Sequence, residues 1–265
     1  SYATMASQAE SRQTFINSSI DMARKYGFDG LDLDWEFPAN PQKMEDLGLL
    51  FDEWRSAIET EASSTGRDPL LLTAAVYFAV DFFVSETYRK YPVTSINQNL
   101  DWINAMCYDY HGSWDTSETG AHAALYDPNS NVSTSYGLQS WADAGLSKSK
   151  IVMGLPLYGR TWTLKDGNDN GIGAPAVSVG PGDDGTMSFS EVEDFNNENN
   201  ATVVYDETTV STYSYAGLSW IGYDDTKSTT KKVEFARDLG IGGYFFWALS
   251  QDQTLEIPAQ ASIAW

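Results

Sequence analysis

The chain has 265 residues, 42% of them apolar and 14% aromatic, which is enough to bury the core of one large domain or two smaller ones. Its formal net charge of −21 argues against a nucleic-acid partner, because there is no basic stripe to neutralise phosphates. No apolar run approaches the roughly 20 residues of a membrane-spanning helix, and a single cysteine, Cys107, excludes an intrachain disulfide and a cysteine-based metal site.

The first part of the chain alternates amphipathic helices with apolar strands. The periodicity predicts a helix over 9–26 that ends at Gly27, and then a strand over 29–37. A second helix lies within 39–62, where Asn40 can act as N-cap and Pro41 fits the first helical position. The later elements are a buried strand over 69–78, a weaker helix near 85–90, a strand within 100–110, a helix around 136–144 and a strand within 150–159.

This alternation stops between Tyr158 and about Asp225. Residues 201–225 alternate with period two and 188–196 form a short helical candidate, which together predict a small α+β domain. A helix within 228–240 and a strand within 241–250 then resume the earlier pattern. The predicted organisation is a parallel α/β portion over 1–157, an α+β insertion over 158–225 and a second α/β portion over 226–265.

Alternating helices and apolar strands are typical of a parallel sheet covered by helices. Five parallel strands are predicted, whereas a closed (β/α)8 barrel needs eight. Either the sheet is open, or this sequence lacks the N-terminal third of such a barrel. The five predicted strands lie near 30–36, 70–77, 102–108, 151–155 and 241–247.

The stretch "GFDGLDLDWEFP", residues 27–38, is unusually acidic for a strand. Because side chains alternate along a strand, Asp32, Asp34 and Glu36 should share one face, directed into a barrel interior or crevice at the carboxyl end of the strand. Three carboxylates this close in a poorly solvated place would have to share protons, and a carboxyl that stays protonated is a general acid. The segment is therefore a candidate catalytic site.

These acids have two other interpretations besides the catalytic one. Acids spaced by two could bind a divalent cation, but an EF-hand needs a glycine-centred loop of twelve residues. They could also be the solvated face of an edge strand, although the apolar residues between them suggest a strand that is covered by helices. The catalytic interpretation is favoured over both.

Four segments of the chain resemble family 18 glycoside hydrolases, and the whole chain resembles plant class V chitinases. "DGLDLDWEFP" matches the acidic signature D-x-x-D-x-D-x-E, "NAMCYDYHGSW" resembles the sixth strand of the family, "MGLPLYGRTW" the seventh and "GGYFFWALSQD" the eighth. The resemblance implies an α/β fold, a (β/α)8 TIM barrel of which only the last five βα units are present, with 158–225 as chitin insertion domain. It also implies an N-terminal fragment of about three βα units, supplied as a separate chain, lost by processing or not determined.

The resemblance implies that the chain cleaves β-1,4-linked N-acetylglucosamine polymers with retention, without a cofactor or a metal. Glu36 would protonate the glycosidic oxygen and then act as base, while Asp34 orients the substrate's 2-acetamido group and Asp32 supports Asp34. Tyr108 would hydrogen-bond the acetamido oxygen. No carboxylate nucleophile is needed, because in this family the acetamido oxygen itself attacks the anomeric carbon.

Five further residues are implied to shape or contact the sugar: Met106, Asp109, Tyr158, Arg160 and Trp247. Each has a structural alternative when only its own type and place are considered. Met106 could be simple core, Tyr158 and Arg160 could be a structural pair beside the insertion, and Trp247 could be buried packing rather than a sugar platform.

Three N-x-[ST] sequons, Asn17, Asn131 and Asn200, are compatible with glycosylation and, together with the resemblance, with a secreted or vacuolar location. The opening residues are polar where a signal peptide would be apolar, so a leader, if there was one, is expected to have been removed. Alternation along its strand places Cys107 away from the site as an inert buried thiol.

The sequence is compatible with two functions: an endo-acting chitinase, which the intact Glu36 favours, and a chitin-oligosaccharide-binding lectin or storage protein on the same scaffold. The expected partners are chitin or N-acetylglucosamine oligosaccharides, with an N-terminal fragment of the same barrel as a second candidate. Neither a nucleic acid nor a membrane is expected.

Overall fold

The structure is a computed structural model that describes residues 1–265. The chain divides into two compact units, Ser1–Ala105 with Leu138–Val152, and Met106–Gly137 with Met153–Trp265. None of the helices is both long and apolar enough to cross a membrane.

Eight helices and thirteen strands follow one another along the chain. The helices are α1 (Tyr2–Ala6), α2 (Ala9–Tyr26), α3 (Pro41–Thr65), α4 (Val93–Asn99), α5 (Thr134–Asp143), α6 (Phe189–Asn199), α7 (Thr226–Leu239) and α8 (Glu256–Ala264). The strands are β1 (Gly30–Asp34), β2 (Leu71–Tyr77), β3 (Asp81–Val84), β4 (Thr87–Lys90), β5 (Trp102–Met106), β6 (Ile151–Pro156), β7 (Tyr158–Leu164), β8 (Ala176–Val179), β9 (Thr186–Ser188), β10 (Thr202–Asp206), β11 (Ser211–Ala216), β12 (Ser219–Tyr223) and β13 (Gly243–Trp247).

Helices α2 and α3 of the first unit form where the apolar spacing predicts them. Helix α2 ends at Gly27, whose φ of 72° is readily adopted by glycine. At the start of α3, Asn40 Oδ1 accepts a hydrogen bond from the backbone N of Lys43 at 3.0 Å, and Pro41 occupies the first turn. The buried stripe of α3 contains Leu47, Leu50, Phe51, Trp54 and Ile58, as predicted.

The parallel strands position the acidic segment. Strand β1 pairs with β2 in parallel, from Gly30 opposite Leu71 to Asp34 opposite Ala75. In the first unit the neighbouring strands follow the order β1, β2, β5, β6, and in the second unit β6 lies next to β13. The five predicted parallel strands are thus present, but the first ends at Asp34, three residues before the predicted end at 37.

The predicted helix near 85–90 is wrong, because this region forms the β3–β4 hairpin. Its turn residues Ser85 and Glu86 have φ values of 50° and 62°, as two-residue hairpin turns require. Phe83 and Tyr88 are directly opposite each other, with ring centroids 5.2 Å apart. Such an aromatic cross-strand pair stabilises a hairpin.

The second unit contains a six-stranded sheet with the order β10, β11, β12, β7, β8, in which β9 also pairs with β7. Its core packs Trp162 against Trp220, with ring centroids 5.4 Å apart. Helix α6 begins with a capping box in which Ser188 and Glu191 satisfy each other's backbone N–H groups. The helix and strands expected within 188–225 are confirmed, while the predicted domain boundaries at 157/158 and 225/226 stay a prediction.

Candidate active site

The acids of the first unit alternate with buried apolar residues, as the sequence predicts. Asp32 and Asp34 lie on β1, Glu36 follows two residues after its end, and all three are exposed. Leu33 and Trp35, between them, are 2% and 8% exposed. The expectation that the acids lie in a poorly solvated interior is wrong for this chain, because β1 is the end strand of its sheet and is paired on one side only, with β2.

Asp32 is held by side chains from the two neighbouring strands. Thr73 of β2 donates a hydrogen bond to Asp32 Oδ1 at 2.5 Å, and the amide of Asn104 on β5 donates to the same oxygen at 3.0 Å. Trp102 Nε1 donates to Asn104 Oδ1 at 3.1 Å, which orients that amide. Thr73 and Asn104 were not among the predicted site residues. Each is an isolated polar residue in an apolar strand, which is a signal that a sequence offers for a buried hydrogen-bond partner.

The residues that follow Glu36 pack on the β3–β4 hairpin and the segment after it. The peptide bond between Glu36 and Phe37 is cis. Arg89 Nη1 of β4 donates a hydrogen bond to the Pro38 carbonyl at 3.2 Å. Tyr91 is 3% exposed, and burial, with a smaller contribution from the charge of Glu36, raises the pKa of its phenol. Tyr91 is therefore a neutral group within electrostatic reach of Glu36.

In the second unit, Asp109 and Arg160 form an ion pair with two hydrogen bonds. Arg160 Nε and Nη2 donate to Asp109 Oδ1 at 2.9 and 2.7 Å, and Nη1 donates to Thr186 Oγ1 at 2.8 Å. The guanidinium carbon also lies 5.1 Å from the ring centroid of Trp114 and 5.5 Å from that of Tyr158. These contacts fix the plane of the guanidinium group.

The charge state of this pair follows from its surroundings. Burial alone would raise the pKa of Asp109, but interactions with His122 and Arg160 outweigh it and hold that pKa at about 2. Burial and the neighbouring Asp109 carboxylate together raise the pKa of Tyr158. The site in this unit therefore presents an anion at Asp109 and a neutral phenol at Tyr158.

The remaining predicted sugar contacts of this unit include an aromatic cluster. The ring of Tyr108 lies 6.2 Å from that of Tyr158 and 6.3 Å from that of Phe245, in edge-to-face geometry. Trp247, at the end of β13, is 58% exposed, which contradicts the alternative that it is buried packing. Met106 ends β5 and is half-buried. The fold thus brings Tyr108, Asp109, Tyr158 and Arg160 together.

Other sequence expectations have a definite place in the structure. Cys107 is buried, and burial raises the pKa of its thiol to about 12, which confirms an inert thiol. The sequon residues Asn17, Asn131 and Asn200 are all exposed. No cluster of three or more histidine, cysteine, aspartate or glutamate residues is placed to hold a metal ion.

Comparisons with known proteins agree with these features. The family profile described as "Glycosyl hydrolases family 18" matches residues 1–252. Class V chitinase CHIT5 of Lotus japonicus is 52% identical over 265 residues, which cover 100% of this chain and 66% of that protein, so the chain spans slightly less than two thirds of that relative.

Two solved structures are informative for function. A mutant class V chitinase of Nicotiana tobaccum in complex with NAG4 has a TM-score of 0.95 at 45% identity, covering 100% of this chain and 76% of that one. A chitinase-like agglutinin of Robinia pseudoacacia has a TM-score of 0.91 at 38% identity, with the same coverages. These similarities confirm the predicted α/β barrel fold class.

Proposed function

Because the chain belongs to glycosyl hydrolases family 18, we propose that it is a chitinase that hydrolyses β-1,4-linked N-acetylglucosamine polymers by substrate-assisted, retaining catalysis. The observation that carries this proposal is the intact acidic segment, in which Asp32, Asp34 and Glu36 are all present and Asp32 is fixed by Thr73 and Asn104. A scaffold that only binds sugar would not need the acid at position 36.

In the proposed mechanism Glu36 donates its proton to the glycosidic oxygen as the bond to the leaving sugar breaks. The 2-acetamido oxygen of the substrate attacks the anomeric carbon, and Asp34 orients that group and stabilises the positive charge on its nitrogen. Glu36 then removes a proton from water, which attacks the same carbon and regenerates the acetamido group. The two hydrogen bonds on Asp32 support this proposal, because they hold the residue behind Asp34 in one orientation.

The second unit supplies groups suited to a neutral, hydroxyl-rich sugar. The phenol of Tyr108 is proposed to hydrogen-bond the acetamido oxygen as charge develops, and Asp109, Tyr158 and Arg160 offer an acceptor and donors in fixed positions. The exposed ring of Trp247 is proposed as a platform for a sugar face. Met106 is proposed to shape the same subsite.

The main alternative is a lectin or storage protein that binds chitin oligosaccharides with little or no hydrolysis. It is kept because a chitinase-like agglutinin has the same fold at 38% identity and fold does not determine function. Incubation with a chitin tetramer beside a Glu36→Gln control separates the two. We expect shorter products from the unsubstituted chain only. If both proteins bind the tetramer and neither forms products, the protein is a lectin and not an enzyme.

A second proposed partner is a polypeptide segment that supplies further parallel strands of the barrel. In support, β1 is the end strand of its sheet, and Phe28, which precedes it, is 60% exposed, so an unpaired strand edge lies next to an exposed apolar side chain. Comparing native and denaturing mass spectra of the purified protein tests this. An additional polypeptide in the native species, or a single polypeptide longer than these 265 residues, is expected, and a single folded species of 29.3 kDa would contradict it.

Glycosylation and a secreted or vacuolar location belong to the same proposal. The exposure of Asn17, Asn131 and Asn200 supports it, because each amide is accessible for glycan attachment. The mass of the protein purified from its source, before and after enzymatic removal of N-linked glycans, is the test. A decrease on treatment is expected, and an unchanged mass would contradict glycosylation at all three.

A further inference from the structure

His122 is one of two histidines in the chain and is only 1% exposed. It lies in the second unit between two of the residues discussed above. Its Nε2 is 3.1 Å from the backbone carbonyl oxygen of Tyr158, and its Nδ1 is 3.5 Å from the backbone N of Asp109. The imidazole thus contacts two chain segments that carry predicted sugar-binding residues.

The backbone around His122 is also anchored. Its own carbonyl accepts a hydrogen bond from the backbone N of Tyr110 at 2.9 Å. The next carbonyl, that of Ala123, accepts from Lys232 Nζ at 2.5 Å, and Lys232 is paired with Asp224 at 2.6 Å. Since Lys232 is itself only 1% exposed, the backbone next to His122 is held by a buried side chain.

Asp109 needs such support, because its backbone has a φ of 60°, in the left-handed region that residues other than glycine adopt only with a steric cost. In that conformation its N–H reaches His122 Nδ1 while its carboxylate accepts two hydrogen bonds from Arg160. The hydrogen bond to His122 therefore favours the backbone conformation that directs the carboxylate to Arg160.

We propose that His122 is a positioning residue that clamps Asp109 and Tyr158 through its two ring nitrogens, and so sets the geometry of the Asp109–Arg160 pair for sugar binding. Its effect on activity rests on the proposed function. Since a carbonyl oxygen can only accept, Nε2 must carry a proton and donate to Tyr158. Nδ1 lies 3.5 Å from the backbone N of Asp109 and 3.7 Å from its Oδ1, so this nitrogen faces both the backbone and the carboxylate of Asp109. The other charged groups nearby are Arg160, through Asp109, and Lys232, through Ala123.

Three substitutions separate the two contacts. His122→Asn keeps an acceptor near the Nδ1 position, His122→Gln keeps a donor near the Nε2 position, and His122→Phe keeps the ring shape without either. We expect His122→Phe to lower kcat/KM about 10-fold, as the loss of two hydrogen bonds predicts, with Asn and Gln each recovering part of it. A purely packing role would make Phe the mildest of the three, because it best preserves the ring.

Two measurements on the full chain do not depend on activity. A long-range 1H–15N spectrum of the imidazoles, assigned with His111→Asn, reports whether Nε2 of His122 is protonated, and amide hydrogen exchange reports the Asp109 N–H. We expect a protonated Nε2, and exchange at Asp109 that is faster in His122→Phe than in His122→Asn.

An unprotonated Nε2, or Asp109 exchange that is the same in the unsubstituted chain and in His122→Phe, would overturn the clamp. Catalysis that is absent from the unsubstituted chain would contradict the proposed function instead. The spectrum and the exchange rates would still decide the role of His122 in that case.

Discussion

Replacing Lys232 with methionine tests how much the buried Lys232–Asp224 ion pair of the second unit contributes to stability. The Lys232 ammonium makes three hydrogen bonds, to Ala123 O at 2.5 Å and to the two carboxylate oxygens of Asp224 at 2.7 and 2.6 Å, and both side chains are 1% exposed. Methionine has a similar length but leaves a buried carboxylate and a buried carbonyl unpaired. Removing one partner of such a pair costs about 3–5 kcal/mol, which we expect as the loss in free energy of unfolding.

Urea unfolding followed by tryptophan fluorescence and circular dichroism measures this loss, and an unchanged m value would show that the denatured state is unaffected. Lys231→Met is the matched control, because Lys231 is the adjacent residue, is exposed and pairs with Glu234 on the surface at 2.8 Å. We expect no measurable change in that variant.

The double variant Lys232→Met with Asp224→Leu tests whether the unpaired charge causes the loss. It removes both charges and leaves only the Ala123 carbonyl unpaired, so we expect it to cost about 1–3 kcal/mol, less than Lys232→Met alone. A Lys232→Met variant as stable as Lys231→Met, or a double variant less stable than Lys232→Met, would refute the reasoning that an uncompensated buried charge is the main cost.

Three further predictions concern single residues. Interactions with His122 and Arg160 outweigh burial and hold the pKa of Asp109 at about 2. Ionised Asp109 therefore stabilises the fold above its unfolded pKa of about 3.9, and this stabilisation is lost as pH falls toward 2. The loss in free energy of unfolding should be about 1 kcal/mol after allowance for solvent screening. When the free energy of unfolding is measured as a function of acid pH, it should decrease less in Asp109→Asn than in the unsubstituted chain. Asn40→Ala removes the hydrogen bond to Lys43 N and should cost about 1 kcal/mol in urea unfolding, and no loss would contradict a capping role. Cys107, whose pKa burial raises to about 12, should react with a thiol reagent only after denaturation, and rapid native reaction would contradict its burial.

The elements that were predictable are those whose own periodicity matches their burial. Helix α3 was predictable from Asn40 and Pro41 at its start and from an apolar stripe with helical spacing. The β3–β4 hairpin was not, because its turn uses Ser85 and Glu86 at positive φ, where glycine or asparagine would have given the usual turn signal. Helix α8 was missed for a related reason, since Pro258 in its first turn looks like a break but is tolerated there.

Some features of the site were also predictable from the sequence, and others depend on the tertiary structure. The acids of β1 were predictable because alternation along one strand is a local property. Their solvation was not, because it depends on which strand lies on the other side of β1. The ring of His122 contacts Asp109 and Tyr158 from a loop without periodicity, and only the tertiary structure brings these residues together.

The proposed reaction is cleavage by Glu36 of a β-1,4 bond between N-acetylglucosamine units, with retention. The most direct measurement is time-resolved analysis of the anomers formed from a chitin oligomer, before mutarotation, in the unsubstituted chain and in Glu36→Gln. We expect that the first new reducing ends are β anomers and that Glu36→Gln forms almost no products. First-formed α anomers, or the same rate in both proteins, would contradict it.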